Sequence, residues 1–240
     1  MKRKLIFFLI SAIACLLLVF LMFFVYFKYQ IQKIIIISTY SKIYGLEVLK
    51  GQNLLFIDTD KIDRTLLTRN PFIKSITITK HYPETLIMDV KIRNPRYLIV
   101  KDSIVFPVDE EGTVLSNMPY DEFLPKIEVT NFSIISYGKT DWRILKAINL
   151  LVNIEKQSIL VDRILIDDGG GLFLIDLPAG SKIVVPYNAD APFIGTSLQL
   201  IMSRFRIEGK FVSKIDFRFD KPVVILSNGE KISSILVNNV

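Results

Sequence analysis

Hydrophobic positions are spread unevenly along the chain, and the longest run comes first. From Leu5 to Phe27 no residue is charged, and only Ser11 and Tyr26 carry hydroxyls. A helix of this length spans roughly 34 Å at ~1.5 Å per residue, enough for a hydrocarbon core of about 30 Å with some tilt. Lys2, Arg3 and Lys4 precede the run, and Tyr26 and Tyr29 lie near its far boundary. Basic flanks stay on the cytoplasmic side, so residues 1–4 are expected there, with everything after the helix (5–27) on the other side. Ala12-Ile13-Ala14 ahead of Cys15 has the small-x-small form of a cleavage site. The apolar run continues unbroken beyond it, which predicts an uncleaved single-pass anchor.

Past Lys28 the pattern changes to short periods. Ile34–Ile37 is a β-branched run and predicts a strand. Thr39–Leu49 has helical spacing at Tyr40, Ile43, Tyr44 and Leu46, interrupted by Gly45. After Leu54–Ile57, Asp58 or Thr59 is placed to cap a helix whose buried face carries Ile62, Leu66 and Leu67. Asn70-Pro71 ends it, since a residue before proline is pushed out of the helical region. Phe72–Lys80 alternates through Ile76 and Ile78, His81–Glu84 turns, and Leu86, Met88, Val90 and Ile92 share one face of the returning strand. These elements predict a small β-α-α-β-β unit over residues 28–95.

The remainder, 96–240, reads as a larger mixed β unit. Thr140-Asp141 precedes a helix from Trp142 to Ile154 with Leu145, Ile148, Leu151 and Val152 at helical spacing. Asp162–Val185 predicts three strands separated by Asp168–Gly171 and Pro178–Ser181. Pro192–Phe205 predicts a second helix through Ile194, Leu198, Ile201, Met202 and Phe205. Lys214–Phe219 and Val223–Leu226 are β-rich, with Asp220-Lys221-Pro222 between them and Asn228-Gly229 as a further turn. The fold class is α+β: one transmembrane helix, a small two-helix sheet, and a mainly antiparallel sheet carrying two helices.

Composition narrows the function more than it names one. The 240 residues are 50% hydrophobic, with a mean hydropathy of +0.39. The net charge of +6 owes half its value to the basic flank of the apolar run, because residues 28–240 hold 27 basic and 24 acidic side chains. The rest are scattered, which predicts no nucleic-acid partner. One cysteine, Cys15, lies inside the apolar run, so no internal disulfide and no cysteine-based zinc site is expected. The one histidine, His81, sits at a hairpin tip without a nucleophile and acid beside it. Asp109-Glu110-Glu111 and Asp167-Asp168 could pair for glycoside hydrolysis. Both adjoin glycine in turn context, where Asp and Gly serve conformation. Asp168–Gly171 lacks the Gly-Lys-Ser/Thr ending of a phosphate loop. The expectation is a non-enzyme with no cofactor, no metal and no small-molecule substrate. A C-terminal sheet edge would offer unpaired N–H and C=O groups to a partner strand, unless residues 231–240 cover it.

The residues also resemble a known family. Ile73, Ser75, Ile78, Pro83-x-Thr85-Leu86, Met88, Val90, Arg93 and Pro95 keep the spacing of a POTRA domain of the FtsQ/DivIB kind. Ile92 departs from it, standing where the family commonly has Glu. Val108–Val114, Leu124–Ile127 and Ile215–Phe219 resemble that family's β domain. The resemblance implies a bitopic, non-enzymatic cell-division scaffold in the bacterial inner membrane at the septum, its bulk outside. Its implied partners are the FtsB/FtsL pair and, through the POTRA domain, other division proteins. It further implies that an FtsB-like strand adds around Phe219, Lys221, Val223 and Ile225, although Pro222 removes one donor there. Two other classes are set against it. A POTRA-bearing translocation or assembly factor usually has several repeats and a β-barrel, whereas one POTRA-like unit is legible here. A membrane-anchored wall hydrolase would need the missing catalytic set.

Overall fold

The computed structural model describes residues 2–38, 43–116, 118–130 and 138–233. The chain divides into two compact units, Met1–Ile92 and Arg93–Val240.

The first unit opens with α1 (Lys2–Lys28). Its stretch Leu9–Lys28 has a mean hydropathy of 2.8 and is long and apolar enough to cross a membrane. A small sheet follows in the order β1-β3-β2, made of β1 (Lys33–Ile37), β2 (Ile73–His81) and β3 (Thr85–Ile92). β3 is central, parallel to β1 and antiparallel to β2. The alternation expected of β3 is present: Leu86, Met88 and Val90 are buried. Each such side chain stabilises the unit by about 1.5–3 kcal/mol. They pack under α2 (Thr59–Arg69), which contributes Ile62 and Leu66, with Ile31, Leu49, Leu54 and Ile57 completing the core. The Asp58 carboxylate caps α2 by accepting from the N–H groups of Asp60 and Lys61.

The first helix expected in this unit is corrected in part. Thr39–Lys42 lie outside the described residues, and from Ile43 onward the chain holds a turn and a single 3-10 turn, Glu47–Leu49. Gly45, at φ +95°, takes a conformation that would interrupt an α-helix. Asn70 stabilises this segment as well as ending α2. It is fully buried; its Oδ1 accepts from Tyr44 N–H, while its Nδ2 donates to the carbonyls of Tyr44 and Leu66.

The second unit is built on one sheet in the order β12-β11-β10-β9-β8-β7-β6-β4-β5. Its first strands are β4 (Tyr97–Lys101), β5 (Ile104–Val108) and β6 (Lys126–Glu128). After α3 (Trp142–Glu155) come β7 (Arg163–Asp167), β8 (Leu172–Asp176) and β9 (Lys182–Pro186). Then follow α4 (Ala191–Ile207), β10 (Val212–Asp216), β11 (Val223–Leu226) and β12 (Lys231–Ser233). Neighbours that run parallel cannot be joined by a tight turn, so the chain must cross over. β6 and β7 are such a pair, bridged by α3; β9 and β10 are another, bridged by α4. Both helices lie on one face, where Ile144, Ile148, Leu151, Ile194, Leu198 and Ile201 meet the inward residues of the sheet. Asp141 and Asp190 cap the two helices through carboxylates that accept first-turn N–H groups.

α3 and α4 touch at Gly195. A Cβ there would stand 2.5 Å from the carbonyl oxygen of Asn153 on α3. Alanine normally favours a helix interior over glycine by about 1 kcal/mol. Here the forced separation of two backbones should outweigh that gain, and Gly195→Ala is expected to lose about 1–3 kcal/mol. Thermal unfolding of the detergent-solubilised protein checks this; an unchanged or raised Tm would mean that the helices separate freely.

Candidate functional site

The residues singled out for partner binding gather at the β12 end of the large sheet, but not all on an open edge. Phe219 and Lys221 lie exposed in the connection between β10 and β11. Val223 and Ile225 lie half-buried on β11, two residues apart and so on one face, while Val224 and Leu226 turn into the core. β11 itself is not the edge. It pairs with β10 through Asp216↔Val223 and Lys214↔Ile225, and with β12 through Val223↔Ser233 and Ile225↔Lys231. Its backbone is therefore committed on both sides, and the outermost described strand is β12.

The ladder's geometry says which groups of β12 face outward. Leu226 N–H donates to the Glu230 carbonyl, and Gly229 (φ +86°) provides the left-handed residue that closes the turn. Hydrogen-bonded pairs alternate in an antiparallel ladder, so Val224↔Ile232 is the next such pair. Lys231 and Ser233 then direct their backbone N–H and C=O away from β11. A lysine at this place also discourages indiscriminate edge pairing.

The β10–β11 connection is held by an ion pair that the sequence reading did not single out. Asp216 is only 5% exposed; its carboxylate accepts from Arg218 Nε at 2.9 Å, from Arg218 Nη2 at 2.6 Å and from the Arg218 backbone N–H at 3.1 Å. The guanidinium in turn lies 5.9 Å from the Phe219 ring centroid. Phe217 enters the core while Phe219 stays 57% exposed, so the pinned arginine fixes which aromatic faces outward. Beside it a cleft of about 300 Å³ separates this connection from the start of α4, lined by Asp190, Phe193, Arg218, Phe219, Asp220 and Pro222 among others. The Asp-x-Arg spacing was visible in the sequence. Its role was not, because it depends on the burial of Asp216.

The other acidic groups serve structure. Asp109 is buried, and its Oδ1 accepts from the backbone N–H groups of Glu111 and Thr113. Arg93 bridges Asp109 and Glu111, which raises the pKa of its guanidinium against the opposing effect of burial. Arg143 joins Asp141 to Asp168, and the Tyr187 hydroxyl donates to Asp168. His81 ends β2 in an exposed position. Among the described residues no group of three His, Cys, Asp or Glu side chains could hold a metal ion.

Burial opposes ionisation of Asp216, but Arg218 prevails through its side chain and backbone N–H, holding the carboxyl below the ordinary Asp range. A group whose pKa is lower in the folded state stabilises the fold above its unfolded value, near pH ~4. That contribution is lost as pH falls through the lower folded value. Asp216→Asn should therefore melt lower at neutral pH and show a flatter decline in Tm on acidification. Parallel Tm–pH curves for the two proteins would remove the pair from any stabilising role.

Comparison with known proteins bears on the first unit. Residues 37–91 match the family model for the POTRA domain, FtsQ-type. Over 69 residues the chain is 30% identical to the cell division protein FtsQ of Streptomyces bingchenggensis (strain BCW-1), covering 29% of this chain and 26% of that protein. The match thus spans about a quarter of the relative's length. The matched residues begin at the last residue of β1 and take in α2, β2 and all of β3 but its final residue. Over these residues the first unit is similar to a POTRA domain of the FtsQ type.

Proposed function

We propose that this protein is a non-enzymatic, membrane-anchored scaffold of bacterial cell division, bound to its partners outside the inner membrane at the septum. The observation that carries the reading is the FtsQ-type POTRA domain placed directly after one long apolar helix. A scaffold needs docking surfaces rather than a catalytic set, and the second unit offers one at its β12 end. An extended partner segment of the FtsB kind adds antiparallel or parallel to the outward groups of Lys231 and Ser233. Its side chains then cross Ile225 and Val223 and reach Phe219 and Lys221 at the β10–β11 connection. Lys214, Lys221 and Lys231 surround this face, which favours an acidic segment. FtsL follows as a partner through FtsB, and further division proteins through the POTRA domain. The basic flank of α1 puts the N-terminus in the cytoplasm and both folded units outside.

A fluorescent fusion of the full chain should collect in a band at the division site, and uniform envelope fluorescence would overturn the scaffold reading. Lys231→Pro separates docking from folding, because it removes an outward donor while leaving the Val224↔Ile232 ladder bonds in place. The variant should melt like the parent and fail to retain the partner strand; retained binding would place recognition elsewhere. Protease added to spheroplasts should digest both units, and protection of the C-terminal part would reverse the orientation.

A further inference from the structure

The chain leaves α1 without slack. Between Lys28 and β1, Ile31 N–H donates to the Gln52 carbonyl at 2.8 Å and Gln32 N–H donates to the Glu84 carbonyl at 3.0 Å. From the other side, Leu54 N–H donates to the Tyr29 carbonyl at 2.7 Å, and Asn53 Nδ2 donates to the Tyr26 carbonyl at 2.8 Å. Asn53 is buried, and its Oδ1 accepts from Leu55 N–H, so the turn that follows is fixed against the last helical turns of α1.

That turn presents the wrong side chains for water. Leu54 is buried in the unit's core, but Phe56 is 78% exposed and Leu55 39% exposed. Together with Leu21, Met22, Phe23, Val25 and Tyr26 of α1 they line an almost wholly apolar cleft of about 530 Å³. These α1 residues lie within the stretch Leu9–Lys28 that is long and apolar enough to span. Leu55 and Phe56 therefore stand level with the span, on its bilayer side of Lys28. The hairpin tip meets the same base: the Tyr82 ring, half exposed, sits edge-on to Tyr29 at 5.8 Å. Tyrosines favour the headgroup level, where one end is apolar and the other wet.

We propose that this base is a lipid-binding surface: Leu55 and Phe56 enter the acyl–headgroup boundary beside α1, with Tyr82 and Tyr29 at headgroup level. The occupant of the cleft is lipid because its other wall is the membrane-spanning helix itself, so the patch continues a surface already in contact with acyl chains. The surface is set by hydrophobic depth and aromatic girdling rather than by a particular headgroup. The POTRA domain is then seated on the membrane instead of standing away from it.

The proposal rests on α1 lying in the bilayer, and the test reads the two separately. Trp142, an exposed residue of α3, is replaced by Phe to give a tryptophan-free chain. Phe56→Trp and Leu17→Trp are then made singly in it, and the full chains are reconstituted into phosphatidylcholine vesicles containing brominated lipid. The indole of the Leu17→Trp chain should be quenched most by bromine deep in the acyl chain. The indole of the Phe56→Trp chain should emit at shorter wavelength than a water-exposed one, be quenched most by bromine near the headgroup end, and resist aqueous iodide. Bromolipid quenching of the Leu17→Trp chain, with the Phe56→Trp chain quenched by iodide alone, would overturn the lipid surface while leaving the anchor intact. If bromolipid quenched neither chain, the anchor would be removed, and the lipid surface with it.

Discussion

Backbone N–H and C=O groups taken out of water must be paired, and that single requirement organises this chain from end to end. In the interior of α1 each such group finds its partner four residues away, the arrangement that lets a helix stand among acyl chains. In the two sheets the partners lie on neighbouring strands, so pairing is complete only where a strand has neighbours on both sides. β3 in the small sheet and β11 in the large one are saturated in this sense. Among the described strands of the large sheet's C-terminal end, β12 has no second neighbour, and it is there that we propose a partner strand is received. On that proposal structure and recognition use the same bonds, and the difference between them is where the pairing stops.

The second constraint is chain direction. Three neighbouring pairs of the large sheet run parallel and demand a crossover; for two of them, β6 with β7 and β9 with β10, helices supply it, and both fall on the same face. The opposite face is left with mixed character. Arg163 there bridges Glu128 and Asp176, and Leu165 is exposed beside them. The carboxylates that could suggest catalysis are engaged in the same way. Asp109 organises a turn, and Asp168 receives Arg143 and Tyr187, so both groups hold loops.

Much of this was legible because the determining signals are local. Asp58 and Asp141 mark helix starts through a side chain that reaches two or three residues ahead. Leu86, Met88 and Val90 declare a one-sided strand by their spacing alone, and the POTRA resemblance rests on the same residues. What stayed hidden is non-local or unusual. The β4–β5 hairpin turns through Asp102 and Ser103, both at positive φ without a glycine to announce it. The edge position of β12 is set by the order of nine strands, which no stretch of three residues can encode. Of the residues read as a partner surface, Phe219 and Lys221 lie in the β10–β11 connection, while Val223 and Ile225 lie on a strand whose further neighbour, β12, the sequence did not announce. The grip of Arg218 on Asp216 acquires meaning only once Asp216 is buried.

The four residues between α1 and β1 carry one more consequence. They are bonded to the 51–54 turn and to Glu84 instead of forming a flexible tether. A tether would let the apolar helix spin and tilt without effect on what it holds. Bonded as it is, this joint would act as a stiff coupling, turning rotation of the helix about its own axis into rotation of the small sheet. Torque applied within the bilayer, for instance by another helix packing against α1, would then reach the POTRA domain as a change of heading.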